Sequence, residues 1–332
     1  MSSSKRKKRS EILLEILKKR SNNGLEFAKK AILTEKIECK KLRAALEYYT
    51  SNWENFTHPG LFSIACEVVG GNPDKAVEVQ AVIAMIAAAL DIHDDIIDKS
   101  NIKHGKPTVF GKFGQDMALI LGDGFFVSGF TLLGKSIAKL PEEKIREILA
   151  TLRRSLLELG SAHALELDLK GRMNIAPEEY MKILEMKAAS VEADMRIGAI
   201  VGEGTNSEIE ILTKYGRILG ILATLREEFI DVFDIEELSQ RMKNECLPIP
   251  VLYSMQDEEK NERLQKLLAK KKITSKDVDE LLDIVLKTRN VRRLKKMMKD
   301  LVEENVYLIS EIKFSEIKMT LNDLLTSTLE DL

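Results

Sequence analysis

The sequence predicts an all-α fold, one large helical bundle, and three observations carry that prediction. Hydrophobic residues make up 44% of the 332 residues and charged residues 31%, enough apolar content for a sizeable core and too much for a disordered chain. Helix breakers are scarce, with 7 Pro and 18 Gly beside abundant Leu, Ile, Ala, Glu and Lys, a mixture that favours helix over sheet. Apolar positions also recur at helical spacing along most of the chain.

Taken in order, residues 1–20 read as a basic tail entering the first helix. Lys5, Arg6, Lys7, Lys8 and Arg9 precede Ile12, Leu13, Leu14, Ile16 and Leu17. A solvated start and a basic anchor in peripheral contact with anionic membrane both suit such a segment. Residues 21–332 are expected to form a single helical domain, although length alone leaves the domain count open. Helical periodicity covers Phe27 to Tyr49, Leu61 to Val69, Ala76 to Asp98, Asp116 to Ala138, Pro141 to Lys170, Pro177 to Glu203 and Ser207 to Asp234, with several helices beyond Pro250. Breaks are expected at Gly70-Gly71-Asn72-Pro73, Gly105-Lys106-Pro107, Leu140-Pro141 and Ala176-Pro177, where Pro and Gly punctuate helices.

With 51 Lys+Arg against 53 Asp+Glu the formal charge is −2, so no whole-chain field favours nucleic acid or a membrane surface. The charged stretch from Asp257 to Lys299, including Lys270 to Lys272, Arg292, Arg293, Lys295 and Lys296, alternates signs and apolar positions as a solvated helical face does. Cys39, Cys66 and Cys246 are far apart and odd in number, which makes neither a disulfide framework nor a zinc spacing and points to a reducing compartment. The longest apolar run, Ala81 to Leu90, falls well short of the ~20 residues of a spanning helix. A cytoplasmic protein without a transmembrane segment is expected.

Two acidic sets carry the chemistry. Asp94, Asp95 and Asp98 end an otherwise apolar helix; Asp94 and Asp98, at i and i+4, share one face about 6 Å apart. Carboxylates crowded in this way repel unless a cation joins them, and oxygen-only ligands suit Mg²⁺ that keeps waters and takes substrate phosphate oxygens. Glu227, Glu228 and Asp231 repeat the spacing at the end of a second apolar stretch, Ile218 to Leu225. Helix-end charges facing water are the structural alternative for the first set.

Asp94-Asp95-Ile96-Ile97-Asp98 and Glu227-Glu228-Phe229-Ile230-Asp231 occur with Pro59 through Glu67 to Gly70-Gly71, Gly105-Lys106-Pro107-Thr108, Gly122-Asp123, Glu179-Tyr180, Lys187 and Tyr215-Gly216 before Leu219-Gly220. In order and spacing, residues from about 50 to about 255 resemble the trans-polyprenyl diphosphate synthases. The resemblance implies an isoprenoid-synthase bundle with a central cavity and Mg²⁺ held by Asp94, Asp95, Asp98, Glu227, Glu228 and Asp231. It implies catalytic roles for the three aspartates and Lys187, and an allylic prenyl diphosphate gripped by Lys103, Lys187 and Arg226. A homodimer, or a heteromer with a related synthase, is expected on the same ground. Met85, Ala89 and Leu90 fall where the family's chain-length pocket lies. With Ala84, Ala87 and Ala88 they leave room for a geranylgeranyl-sized or longer chain.

The departures are concentrated at the site for isopentenyl diphosphate, where Asn55, His58 and His104 stand in place of Lys, Arg and Arg. Ala188 and Thr224 replace a Thr and a Gln, and Glu opens the second acidic motif twice. Three functions fit: transfer of a prenyl group to an acceptor, cyclisation or hydrolysis of a prenyl diphosphate from the allylic half-site alone, and a non-catalytic partner role beside an active synthase.

Overall fold

Turn chemistry ends the helices at most of the expected places, and buried contacts end them at the others. The computed structural model describes residues 9–172, 174–270, 273–312 and 315–330. The charges at Lys5 to Lys8, Lys271 and Lys272 lie outside these. The described chain is all-α apart from one two-residue antiparallel pair, and it divides into two compact units, residues 1–152 with 194–212 and residues 153–193 with 213–332.

The first unit is built from α1 (Arg9–Leu33), α2 (Lys40–Ser51), α3 (Thr57–Val68), α4 (Val77–Ile97), the strands β1 (Ile102–Lys103) and β2 (Lys106–Pro107), α5 (Val109–Phe113) and α6 (Gln115–Ser136). It also holds the first part of α7 (Glu142–Leu169). The helix expected over Phe27 to Tyr49 is two helices. Arg43 donates from Nη1 to the Leu33 carbonyl at 2.8 Å and closes the end of α1, an ending supplied by a neighbouring element with no Gly or Pro to announce it. Between β1 and β2 the chain reverses at His104 (φ 51°) and Gly105 (φ 74°), the paired left-handed residues of a tight hairpin. The core gathers Leu25, Leu46, Trp53, Met85, Ile92 and Phe125 from α1, α2, α4, α6 and the segment before α3. Buried Gln80 donates to the Arg20 and Pro59 carbonyls at 2.7 and 2.9 Å, joining α4 to α1 and α3.

The second unit continues α7 and adds α8 (Pro177–Lys187), then α9 (Ala189–Val201) and α10 (Asn206–Phe233), both shared with the first. It ends with α11 (Ile235–Asn244), α12 (Ile249–Met255), α13 (Glu258–Leu268), α14 (Ser275–Lys287), α15 (Arg289–Ile309) and α16 (Ser315–Ser327). The expected helix from Pro177 to Glu203 is interrupted at Ala188, where α10 comes so close that a Cβ on Gly220 would stand 3.0 Å from the Ala188 Cα. α11 is an addition to the sequence expectation. Asp234 caps it, its Oδ1 accepting from the Glu236 and Glu237 amides. On α15, Arg292, Arg293 and Lys296 are exposed while Val291, Leu294 and Met298 are buried.

Two segments, Pro73–Ile97 and Gln115–Ser136, have the length and apolar composition of a spanning helix. Their most apolar windows are 72% and 33% buried in the fold, and length with composition does not separate a core helix from a spanning one.

Candidate active site

α4 is apolar because it is enclosed, and its acidic set begins where enclosure ends. The Asp98 amide donates to the Asp94 carbonyl at 2.9 Å, so the helical turn carries both carboxylates on one face. Asp94 and Asp98 are half-buried and Asp95 is buried. Asp91, one turn earlier, joins them: Lys103 of β1 places Nζ 2.5 Å from Asp91 and 3.7 Å from Asp95. Burial pushes the Asp95 carboxyl up to about 7; Lys103 opposes the rise, and Asp91, Asp94 and Asp98 add to it. Burial disfavours the Lys103 ammonium, but Asp91 and Asp95 hold its pKa above the ordinary lysine value.

Among the described residues, no group of three or more His, Cys, Asp or Glu side chains is gathered so as to hold a metal ion by itself. Mg²⁺ is commonly bound by one or two carboxylates, several waters and substrate phosphates. Asp94 and Asp98, half-buried on one helix face beside Asp91 and Asp95, fit that demand.

An aromatic wall stands beside this set. Tyr49, Trp53 and Phe125 pack with ring centroids 5.2 to 5.6 Å apart, and burial, then Asp91 and Asp95, raise the Tyr49 pKa. Met85 and Ala89, expected in a chain-length pocket, are fully buried in the same core, and Leu90 is half-buried.

In the second unit, Glu227 is exposed at 65% and lies 3.4 Å from Arg226, whose Nε is buried without a hydrogen-bond partner. Glu228 and Asp231 turn inward to Arg241, which donates from Nη2 to Glu228 at 2.8 Å and from Nη1 to Asp231 at 2.6 Å. Burial pushes the Asp231 carboxyl up to about 7 against the pull of Arg241. Lys187, at the end of α8, meets Glu166 at 2.5 Å. Glu166 also accepts from the Tyr180 hydroxyl at 2.8 Å.

Of the three residues at the altered acceptor site, His58 is the most constrained. Its Nδ1 lies 2.6 Å from Asp194, which is 4% exposed. Burial opposes the imidazolium, but the charge and hydrogen bond of Asp194 raise the His58 pKa overall. Burial likewise raises Asp194, with His58 pulling it down. Asn55 is half-buried before α3 and His104 is exposed at the hairpin tip. Lys106 of that hairpin reaches Glu54 at 3.3 Å.

The sequence profile described as polyprenyl synthetase matches residues 39–285. The chain belongs to the polyprenyl synthetase family. Family membership makes it a relative of prenyltransferases. It is 32% identical over 226 residues, 68% of either chain, to a short chain isoprenyl diphosphate synthase of Methanothermobacter thermautotrophicus. It is 26% identical over 257 residues, 75% of this chain and 77% of the other, to a geranylgeranyl diphosphate synthase of Sulfolobus acidocaldarius. The geranylgeranyl pyrophosphate synthetase structure from Pyrococcus horikoshii matches with a TM-score of 0.84 over 98% of this chain and all of that one, at 23% identity. That likeness extends the shared fold beyond the profile match, to nearly the whole chain.

Within this polyprenyl synthetase fold, sequence reasoning missed Asp91, Tyr49, Trp53, Asp194 and Arg241. Asp91 carried a signal, since it lies four residues before Asp95 on the same helix face. Asp194 and Arg241 carried none: their partners are 136 and 13 residues away, across several turns.

Proposed function

We propose that this chain ionises an allylic prenyl diphosphate with Mg²⁺ and transfers the prenyl group to an acceptor. The first acidic set carries the reading: Asp94 and Asp98 share a half-buried face beside Asp91 and Asp95, in a chain of the polyprenyl synthetase family. Mg²⁺, when bound, neutralises the diphosphate as a leaving group. Asp94 and Asp98 would hold the ion, and Lys103, paired with Asp91, would offer its ammonium to a phosphate oxygen. The allylic C–O bond breaks with its electron pair leaving on the diphosphate. The wall of Tyr49, Trp53 and Phe125 keeps water from that side of the acidic set. The buried, unpartnered Nε of Arg226 supports its assignment to a diphosphate oxygen. The chain is expected to act in the cytoplasm as one helical domain per copy, as a homodimer or paired with a related synthase.

A second reading, cyclisation or hydrolysis, draws support from His58, whose charge is committed to Asp194. Incubation with geranylgeranyl diphosphate and Mg²⁺, with and without isopentenyl diphosphate, tests both. Prenyl transfer requires pyrophosphate release with an elongated product; release without isopentenyl diphosphate marks the second reading. No release under either condition refutes both and leaves a non-catalytic partner role.

A further inference from the structure

Three oxygens of the second acidic set, both of Glu228 and Oδ2 of Asp231, are already bonded within the fold. Glu228 Oε1 accepts from Arg241 Nη2 at 2.8 Å and stands 3.3 Å from the Tyr180 hydroxyl, while Glu228 Oε2 accepts from the Ile249 amide at 2.8 Å. Asp231 Oδ2 accepts from Arg241 Nη1 at 2.6 Å. An ion seated on Glu228 would have to break a hydrogen bond to backbone at the start of α12, and Mg²⁺ tolerates distorted ligand geometry poorly.

Arg241 is built in rather than laid across the set. Its side chain is 7% exposed, and Nε donates to the Cys246 carbonyl at 2.9 Å with Glu245 at 3.3 Å. Nη2 also donates to the Tyr180 hydroxyl at 3.0 Å, and that hydroxyl donates onward to Glu166, the partner of Lys187. A guanidinium fork matches two carboxylates and a hydroxyl in one plane better than an ammonium does. Displacing it would strand a buried charge, which is among the more destabilising changes available to a fold. Lys103 differs at the first set: its side chain is 42% exposed, so turning its ammonium toward a phosphate oxygen strands no buried charge.

We propose that Arg241 is the resident cation of the second acidic set, so that Glu228 and Asp231 take no divalent ion and metal binding runs through Asp94 and Asp98. The last clause rests on the function proposed above; the first does not. Arg241 is thus a positioning residue that fixes the end of α10 against α8 and α12.

Mn²⁺ titration of the full-length protein, read by electron paramagnetic resonance with and without inorganic pyrophosphate, separates the two. Glu228→Gln and Asp231→Asn are expected to leave Mn²⁺ affinity within about twofold of wild type while lowering Tm, because Arg241 loses a partner in each. Asp94→Asn and Asp98→Asn are expected to weaken Mn²⁺ about tenfold or more. A comparable loss in Glu228→Gln or Asp231→Asn overturns the Arg241 assignment and leaves the first set untouched. If Mn²⁺ binding is absent or insensitive to all four variants, the role of Asp94 and Asp98 fails and the Arg241 assignment stands. Arg241→Gln, where it folds, should gain a Mn²⁺ ion that wild type lacks, and a folded variant without that gain also counts against the assignment. Where it does not fold, the Asp231→Asn titration alone decides.

Discussion

Replacing Asp194 by Asn removes one charge from a buried pair and almost nothing else. His58 Nδ1 and Asp194 Oδ2 are 2.6 Å apart, with 24% and 6% of the side chains exposed. A charge-assisted hydrogen bond of this kind contributes about 1.5–3 kcal/mol, and the neutral bond that Asn can still accept from an imidazole N–H about 0.5–1.5. The substitution should therefore cost about 1–2 kcal/mol at pH 6, roughly 1–3 °C in Tm for a chain of this length. The pH dependence gives the sharper reading. Because the folded His58 pKa lies above its ordinary 6.5, the folded state binds more protons than the unfolded one. Its contribution is complete below about pH 6.5 and is lost as pH rises through the raised folded value. Asp194, also raised, acts in the same sense at lower pH. Thermal melts of wild type between pH 6 and 9 should show Tm falling, and Asp194→Asn should flatten that slope. An Asn variant that melts with wild type at pH 6, or keeps the full slope, would refute the account.

Asp94→Ala and Asp98→Ala should each abolish pyrophosphate release from geranylgeranyl diphosphate while leaving Tm within a few degrees of wild type, since both carboxylates lie at the rim of the core. A paired loss of fold and activity would contradict a purely ligand-binding role. Ala89→Phe should shorten the preferred prenyl chain in a product assay; because Ala89 is fully buried beside Met85, it should also cost about 1–3 kcal/mol by overpacking. An unchanged product profile assigns Ala89 to packing alone. Calorimetry with isopentenyl diphosphate at pH 7.5 should show weak binding, because the His58 charge is held by Asp194 and Asn55 is neutral. Asn55→Lys/His58→Arg/His104→Arg should strengthen that binding, and micromolar affinity in wild type contradicts a weakened site.

Local chemistry was legible in the sequence wherever it depends on neighbours a few residues away. Helix class, the Gly105 reversal, the Pro177 start and the shared face of Asp94 and Asp98 all follow from backbone preferences and the 3.6-residue period. The end of α1 at Leu33 did not, because the group that closes it is a guanidinium from α2. Nor did the break at Ala188, which lies where Gly220 of α10 packs closely against the chain. The acidic sets divide in the same way. Spacing made the two sets look equivalent, five residues long and each ending an apolar stretch. Beyond the Glu-for-Asp changes visible in the sequence, the tertiary structure separates their cations: Lys103, partly exposed, stands beside the first, whereas Arg241, buried and bonded through all three of its guanidinium nitrogens, is locked into the second. Sequence periodicity determines which side chains share a face, but the cation that meets them arrives from another element, and its burial decides whether it can leave.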